Sequence, residues 1–150
     1  MAKIVQLKDY INGVWTNTFP KLNDSGWITL PLNSDTVVAN QSFIPAYRKI
    51  GNVVYITGIA NPKDSNNEFN KSPTTDKNLV TTLPIGFRPG KFVDKICQGS
   101  GASLFRIELY TTGQLYITRY GEGTNGNNFG ANPPVNGNIL NLAINYVSAD

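Results

Sequence analysis

The residues best placed to do chemistry lie close together, in the run FRIELYTTGQLYITRY beginning at Phe105. Arg106, Glu108, Tyr116, Thr118 and Tyr120 combine a guanidinium fork, a carboxylate, two phenols and a hydroxyl. A sugar presents apolar C–H faces and hydroxyl edges, so its binding sites join planar aromatic surfaces to bidentate donors and acceptors. That mixture occurs here, and these five residues form the candidate saccharide-binding set. As residue types alone they are more commonly those of an ordinary solvent-facing strand pair with cross-strand ion pairs.

Other chemistries find less support. The chain has no histidine and one cysteine, which removes Ser-His-Asp and Cys-His catalysis and imidazole or thiolate zinc sites. A glycosidase needs two acids flanking the scissile bond. Glu122 lies just beyond the hairpin that carries Glu108, and the hairpin does not bring it alongside. GEGTNG, from Gly121, matches the G-x-G-x-x-G fingerprint, but NNFGANPPVNG follows it and cannot supply the required helix N-terminus. Asp64, Asn66 and Glu68 begin like a calcium loop, yet Phe69 stands where an EF-hand needs glycine and Thr75 where it needs glutamate. The expectation is a non-enzymatic protein with no cofactor and no resident metal.

The elements that would position the set are strands. Nineteen Asn and fourteen Gly favour turns over helices. With Thr111, Thr112 and Gly113 as a three-residue hairpin loop, Gly113 occupies the left-handed position. Leu109 then faces Leu115 and Ile107 faces Ile117 on the apolar side. Tyr110 meets Gln114, Glu108 meets Tyr116 and Arg106 meets Thr118 on the other. A one-residue slip would turn Tyr116 inward and Leu115 out.

Elsewhere, SFIPAYRKI and VVYITGIA flank Gly51-Asn52 as a second hairpin with a type II′ turn, Gly51 supplying the positive φ. Both faces of VVYITGIA are largely apolar, predicting a central strand. WITLPL is a strand edged by Pro31. LPIGFRPGKF is a connector pinned to the core by its apolar residues, and KFVDKICQ is a strand in which Cys97 serves as a small buried side chain. In the closing NILNLAINYV, Ile139, Asn141, Ala143 and Asn145 alternate with Leu140, Leu142, Ile144 and Tyr146, predicting a half-buried strand with a short helix as the alternative. Two polar stretches, 61–78 and 121–137, read as long loops. Seven to nine strands in 150 residues predict an all-β sandwich or partly closed barrel. Residues 1–26 are read as an attachment arm and 27–150 as the head.

Thirteen basic against ten acidic residues, scattered singly, leave a net charge of +3 without the basic stripe of a nucleic-acid binder. No apolar run is long enough for a membrane helix, and the start MAKIVQLKDY lacks a signal-peptide core. Neither nucleic acid nor membrane is therefore expected as a partner.

The order YRKIGNVVYITGIAN, LPIGFRP, FRIELYTTGQLYITRYG and NGNILNLAINYV resembles the receptor-binding head domains of lactococcal and related siphophages, over roughly residues 45–147. AKIVQLKD also resembles openings of tail and baseplate proteins of phages that infect Gram-positive bacteria. The resemblance implies an antiparallel Greek-key β-barrel head, a homotrimer and a place in the virion at the tail tip or baseplate, after synthesis in the bacterial cytoplasm. Its expected partners are host cell-wall saccharides and other tail or baseplate proteins. A structural virion subunit that binds only other virion proteins is the alternative. Strand positions that carry His and Asp in the lactococcal pattern align with Arg106 and Glu108. The following strand carries Trp in that pattern, where this chain has Tyr116, Ile117 and Thr118.

Overall fold

The computed structural model describes residues 8–11, 14–17, 23–63, 77–100, 103–121 and 139–149, with side chains for 23–63, 77–100, 103–118 and 139–149. The fold is all-β and antiparallel. Thirteen short strands, rather than seven to nine, occur among the described residues. Strands β1 (Lys8–Ile11) and β2 (Val14–Asn17) pair with each other. The rest form three sheets around one core.

The first of these has the order β8-β11-β10-β9, built from β8 (Asn78–Thr82), β9 (Val93–Gln98), β10 (Leu104–Leu109) and β11 (Gln114–Gly121). The second has the order β13-β6-β5-β3, from β3 (Ile28–Thr29), β5 (Ala46–Ile50), β6 (Val53–Thr57) and β13 (Ile144–Val147). A small third sheet, β12-β7-β4, joins β4 (Thr36–Val38), β7 (Ile59–Pro62) and β12 (Leu140–Asn141). Inward residues from all three meet in one cluster, including Val54, Ile56, Ala60, Val80, Phe105, Ile107, Leu109, Leu115, Ile117, Leu140 and Ile144. Each fully buried aliphatic or Phe side chain there stabilises the fold by about 1.5–3 kcal/mol relative to exposure, before entropy is counted.

The β10–β11 register is the one predicted: Leu109 opposite Leu115, Ile107 opposite Ile117, Glu108 opposite Tyr116 and Arg106 opposite Thr118. Gly113 has φ +88°, and its N–H donates to the Tyr110 carbonyl at 2.8 Å to close the turn. The Gly51-Asn52 hairpin also forms, with Ile50 opposite Val53 and Gly51 at φ +57°.

Two long runs break where the chain changes sheets. VVYITGIA is one strand by periodicity, but it divides into β6 and β7 at Gly58, whose φ is +108°. A Cβ there would lie 2.4 Å from the Pro45 Cα, so only glycine allows this corner. The C-terminal run likewise divides into β12 and β13, and the Leu142 N–H donates to the Gly58 carbonyl at 3.0 Å. The predicted alternation holds through both pieces: Leu140, Leu142, Ile144 and Tyr146 are buried, and Ile139, Asn141, Ala143 and Asn145 are exposed.

β6 is central in its sheet but is covered on one face only. Val54 and Ile56 are buried while Tyr55 and Thr57 are exposed. In the connector, Leu83 is buried and the Phe87 ring packs edge-on against Tyr47 with centroids 4.8 Å apart, but Ile85 points outward. Cys97 is buried, as its apolar setting predicts. At the head of the described core segment, Asn23 and Ser25 hydrogen-bond to the β5 end of the second sheet through Gly51 and Lys49.

Candidate functional site

The hairpin turns one face outward, and the four-stranded sheet extends that face on both sides. β9 pairs with β10 so that Asp94 lies opposite Glu108 and Ile96 opposite Arg106. β8 pairs with β11, putting Leu79 opposite Tyr116. Because opposed residues share a face, Tyr116, Glu108 and Asp94 form one cross-strand row, and Thr118, Arg106 and Ile96 form the next.

Glu108 is the hub. Its carboxylate accepts from the Tyr110 hydroxyl at 2.8 Å and the Thr118 hydroxyl at 3.4 Å. It pairs with Lys77 at 2.9 Å and lies 3.6 Å from the Arg106 Nε. The Tyr110 hydroxyl in turn accepts from Lys77, whose ammonium stands 4.5 Å from the Tyr110 ring centroid. Burial opposes ionisation of Glu108, but hydrogen bonds from Lys77 and Tyr110, with the charges of Lys77 and Arg106, outweigh it and hold the carboxyl below its ordinary range. Lys77 is raised by its own hydrogen bonds, the one to Tyr110 first and the one to Glu108 second. Glu108 is therefore a buried carboxylate kept charged by its surroundings.

The five sequence-selected residues separate on this geometry. Arg106 is partly exposed and pairs with Asp94 at 2.7 Å. Tyr116 is half-buried and meets Tyr110 edge-on, with centroids 5.7 Å apart. Glu108 and Thr118 are buried beneath this layer. Tyr120 belongs to β11, and its side chain lies outside the described residues. The G-x-G-x-x-G match beyond Gly121 and the Asp64 loop also lie outside them.

Four contributors were not selected from sequence: Tyr110, just after β10, and three from outside the hairpin. Asp94 arrives from β9, Lys77 from the residue just before β8, and Phe92 from the residue just before β9, its ring 5.1 Å from Tyr110. Asp94 could have been found by aligning KFVDKICQ antiparallel to FRIELY. Lys77 carried no signal, since it closes a polar stretch with no periodicity. The assembled surface is a ladder of three rings, Phe92, Tyr110 and Tyr116, beside two cations and two carboxylates. Such a surface can stack an apolar ring face and offer charged hydrogen-bonding groups at its edge. Among the described residues, no group of three His, Cys, Asp or Glu side chains is placed to hold a metal ion.

No known protein family, curated protein or solved structure matches this chain.

Proposed function

We propose that this chain is the saccharide-binding head of a phage tail-tip or baseplate adhesin that recognises the cell wall of a Gram-positive host. The observation that carries the reading is the ring ladder Phe92–Tyr110–Tyr116 set against the Arg106–Asp94 and Lys77–Glu108 ion pairs on a rigid sheet. In this reading a pyranose lays its C–H face on the exposed part of the ladder. Its hydroxyls donate to Asp94 and accept from Arg106. Glu108 and Thr118 act from beneath as positioning residues, holding Tyr110 and Arg106 in place.

The wider assignment rests on the sequence resemblance to siphophage receptor-binding heads. The strand order β8-β11-β10-β9, in which three consecutive strands are joined in series and the earlier strand returns beside the last, supports a Greek-key arrangement. A homotrimer would present three such faces and convert weak single-site binding into avidity.

The reading is non-catalytic. A glycosidase general acid must hold its proton near neutral pH, whereas the bonds around Glu108 favour its charged form. A structural virion subunit is the second reading, favoured by exposed Ile85 and Ile96, apolar side chains suited to a protein partner.

Binding of purified cell-wall polysaccharide to the isolated protein tests the assignment. Saturable binding, weakened by Arg106→Ala and Tyr116→Ala in folded protein, is the expected result. Absence of binding at millimolar oligosaccharide, together with tight binding to a tail protein, would replace the adhesin by the structural subunit.

A further inference from the structure

A second assembled surface lies on the outer face of the β13-β6-β5-β3 sheet, away from the hairpin. Arg48 is opposite Tyr55, which is opposite Asn145. Continuing the β3–β5 register puts Trp27 opposite Arg48, and the guanidinium stands 5.7 Å from the centroid of the Trp27 ring. Trp27, Arg48, Tyr55 and Asn145 thus form one cross-strand row over four strands, roughly 14 Å long at the ordinary strand spacing. Trp27 is 54% exposed and Tyr55 39% exposed, although large aromatic side chains are normally well buried.

A backbone irregularity completes the row. Asp24 bridges to Ile50, so between that pair and Trp27–Arg48 one residue of β5, Lys49, faces two residues, Ser25 and Gly26. The Ser25 N–H donates to the Lys49 carbonyl at 3.0 Å, the Lys49 N–H donates to the Ser25 hydroxyl at 2.9 Å, and Gly26 has φ +66°. This is a β-bulge, which re-aims the side chains beyond it. In a regular ladder Asp24 would face the opposite side from Trp27. The bulge turns it onto the Trp27–Arg48 face, where it takes a two-pronged bond from Arg48, Nε to Oδ1 at 2.8 Å and Nη2 to Oδ2. The hydrogen bond from Arg48, then that from the Gly26 N–H, holds the Asp24 carboxyl down to about 2.

We propose that this row is a second saccharide-binding surface, with Trp27 as the stacking platform and the Arg48–Asp24 pair as a fixed hydrogen-bonding fork, and that its ligand is a neutral, linear oligosaccharide. The proposal shares the ligand class of the function proposed above but not its site. Neutrality follows from the charge pattern. Arg48 and Asp24 cancel, so the face attracts neither anion nor cation, while their remaining donors and lone pairs stay directed by the mutual pairing. One guanidinium fork on the sheet surface loses little freedom when a hydroxyl binds, because Asp24 has already ordered it. The ion pair also interrupts the apolar area between Trp27 and Tyr55, which suits an amphipathic sugar ring better than the continuous apolar core of an obligate protein interface.

Indole N–H resonances provide the test, with Trp15, the other tryptophan, as reference and Trp27→Phe to assign the signals. Cellotriose, maltotriose and the trimer of N-acetylglucosamine are titrated into the full chain, with trigalacturonate as the anionic comparator. The expected result is a saturable shift of the Trp27 indole with at least one neutral trisaccharide at millimolar concentration. Followed by the backbone amide shifts of Arg48 and Tyr55, Trp27→Ala should weaken that binding at least tenfold and Arg48→Lys several-fold, with unchanged circular dichroism, whereas Arg106→Ala leaves binding at these amides intact. A silent Trp27 resonance with all three neutral probes overturns the proposal. So does a preference for trigalacturonate, or a Trp27 shift that follows protein concentration without sugar and marks self-association. Sugar binding that is lost in Arg106→Ala but kept in Trp27→Ala refutes this surface and leaves the hairpin site standing. Loss of all sugar binding in Trp27→Ala, with no residual binding that Arg106→Ala weakens, refutes the hairpin site alone.

Discussion

Replacing Gly58 by alanine separates two costs that are usually confounded. The residue has φ +108°, and an added Cβ would meet the Pro45 Cα at 2.4 Å, the Pro45 nitrogen at 2.6 Å and the Ile44 carbonyl oxygen at 2.8 Å. The backbone conformation alone costs an L-residue about 1–3 kcal/mol. Relieving contact with three main-chain atoms adds about 1–3 kcal/mol, because no flexible side chain can yield. The total is about 2–6 kcal/mol, a large share of the stability of an ordinary domain. Gly86 is the internal control: its φ is +90°, but a Cβ there meets nothing within 4 Å. Gly86→Ala should therefore carry only the conformational part, and the reduced entropy of the unfolded chain, common to both variants, cancels in the comparison. Equilibrium urea unfolding followed by circular dichroism measures both. Gly58→Ala should lower the midpoint further, by the equivalent of about 1–3 kcal/mol, with the slope unchanged. Equal losses in the two variants would show that the approach of Gly58 to Pro45 is not what requires glycine at this corner.

Three further outcomes follow from the charged faces. Glu108→Gln keeps the shape but removes the charge that Lys77 and Tyr110 stabilise, and should cost about 1–3 kcal/mol near pH 7 in urea unfolding. Because the folded carboxyl lies below its ordinary value of 4.5, that difference is fully present above the unfolded pKa and fades as pH falls through the folded one. A difference that grows on acidification would contradict the assignment. Tyr110→Phe removes the hydroxyl shared by Lys77 and Glu108, so the Glu108 carboxyl should titrate at higher pH by carbon-detected NMR, and an unchanged midpoint would mean that Lys77 alone holds it down. The Asp24 carboxyl should titrate at about 2 in the intact protein and move up in Arg48→Gln, with the stabilisation from this pair lost only as pH falls toward that value.

Features whose causes lie within about one hairpin are legible in the residues alone. The register from Arg106 to Thr118 follows from a three-residue turn ending in Gly113 and from alternation on both arms, since a slip of one would expose Leu115. The in-out pattern from Ile139 to Tyr146 was legible for the same reason. The all-β class followed from turn residues recurring along the whole chain.

Features that depend on distant partners are set by the packing of the sheets. VVYITGIA carries Gly58 alone as its local sign of a bend, and the reason for the bend is Pro45, which arrives from the segment just before β5. Its outer residues Val53, Tyr55 and Thr57 look as apolar as buried ones, and only the layering of the sheets leaves Tyr55 and Thr57 exposed. The candidate set around Arg106, Glu108 and Tyr116 was visible as a face, but its charge state was not. Asp94 reaches it across the β9–β10 pairing and Lys77 from a stretch without periodicity, and Lys77 helps turn a nominally solvent-facing carboxylate into a buried ionic hub. The Trp27 row was hidden for a related reason. Alternation places Asp24 and Trp27 on opposite faces, and the extra residue at Ser25–Gly26 reverses that parity through pairing with Lys49. Local pattern sets which side chains share a strand face. Pairing between distant strands sets which faces are covered, and which charges meet on those left open.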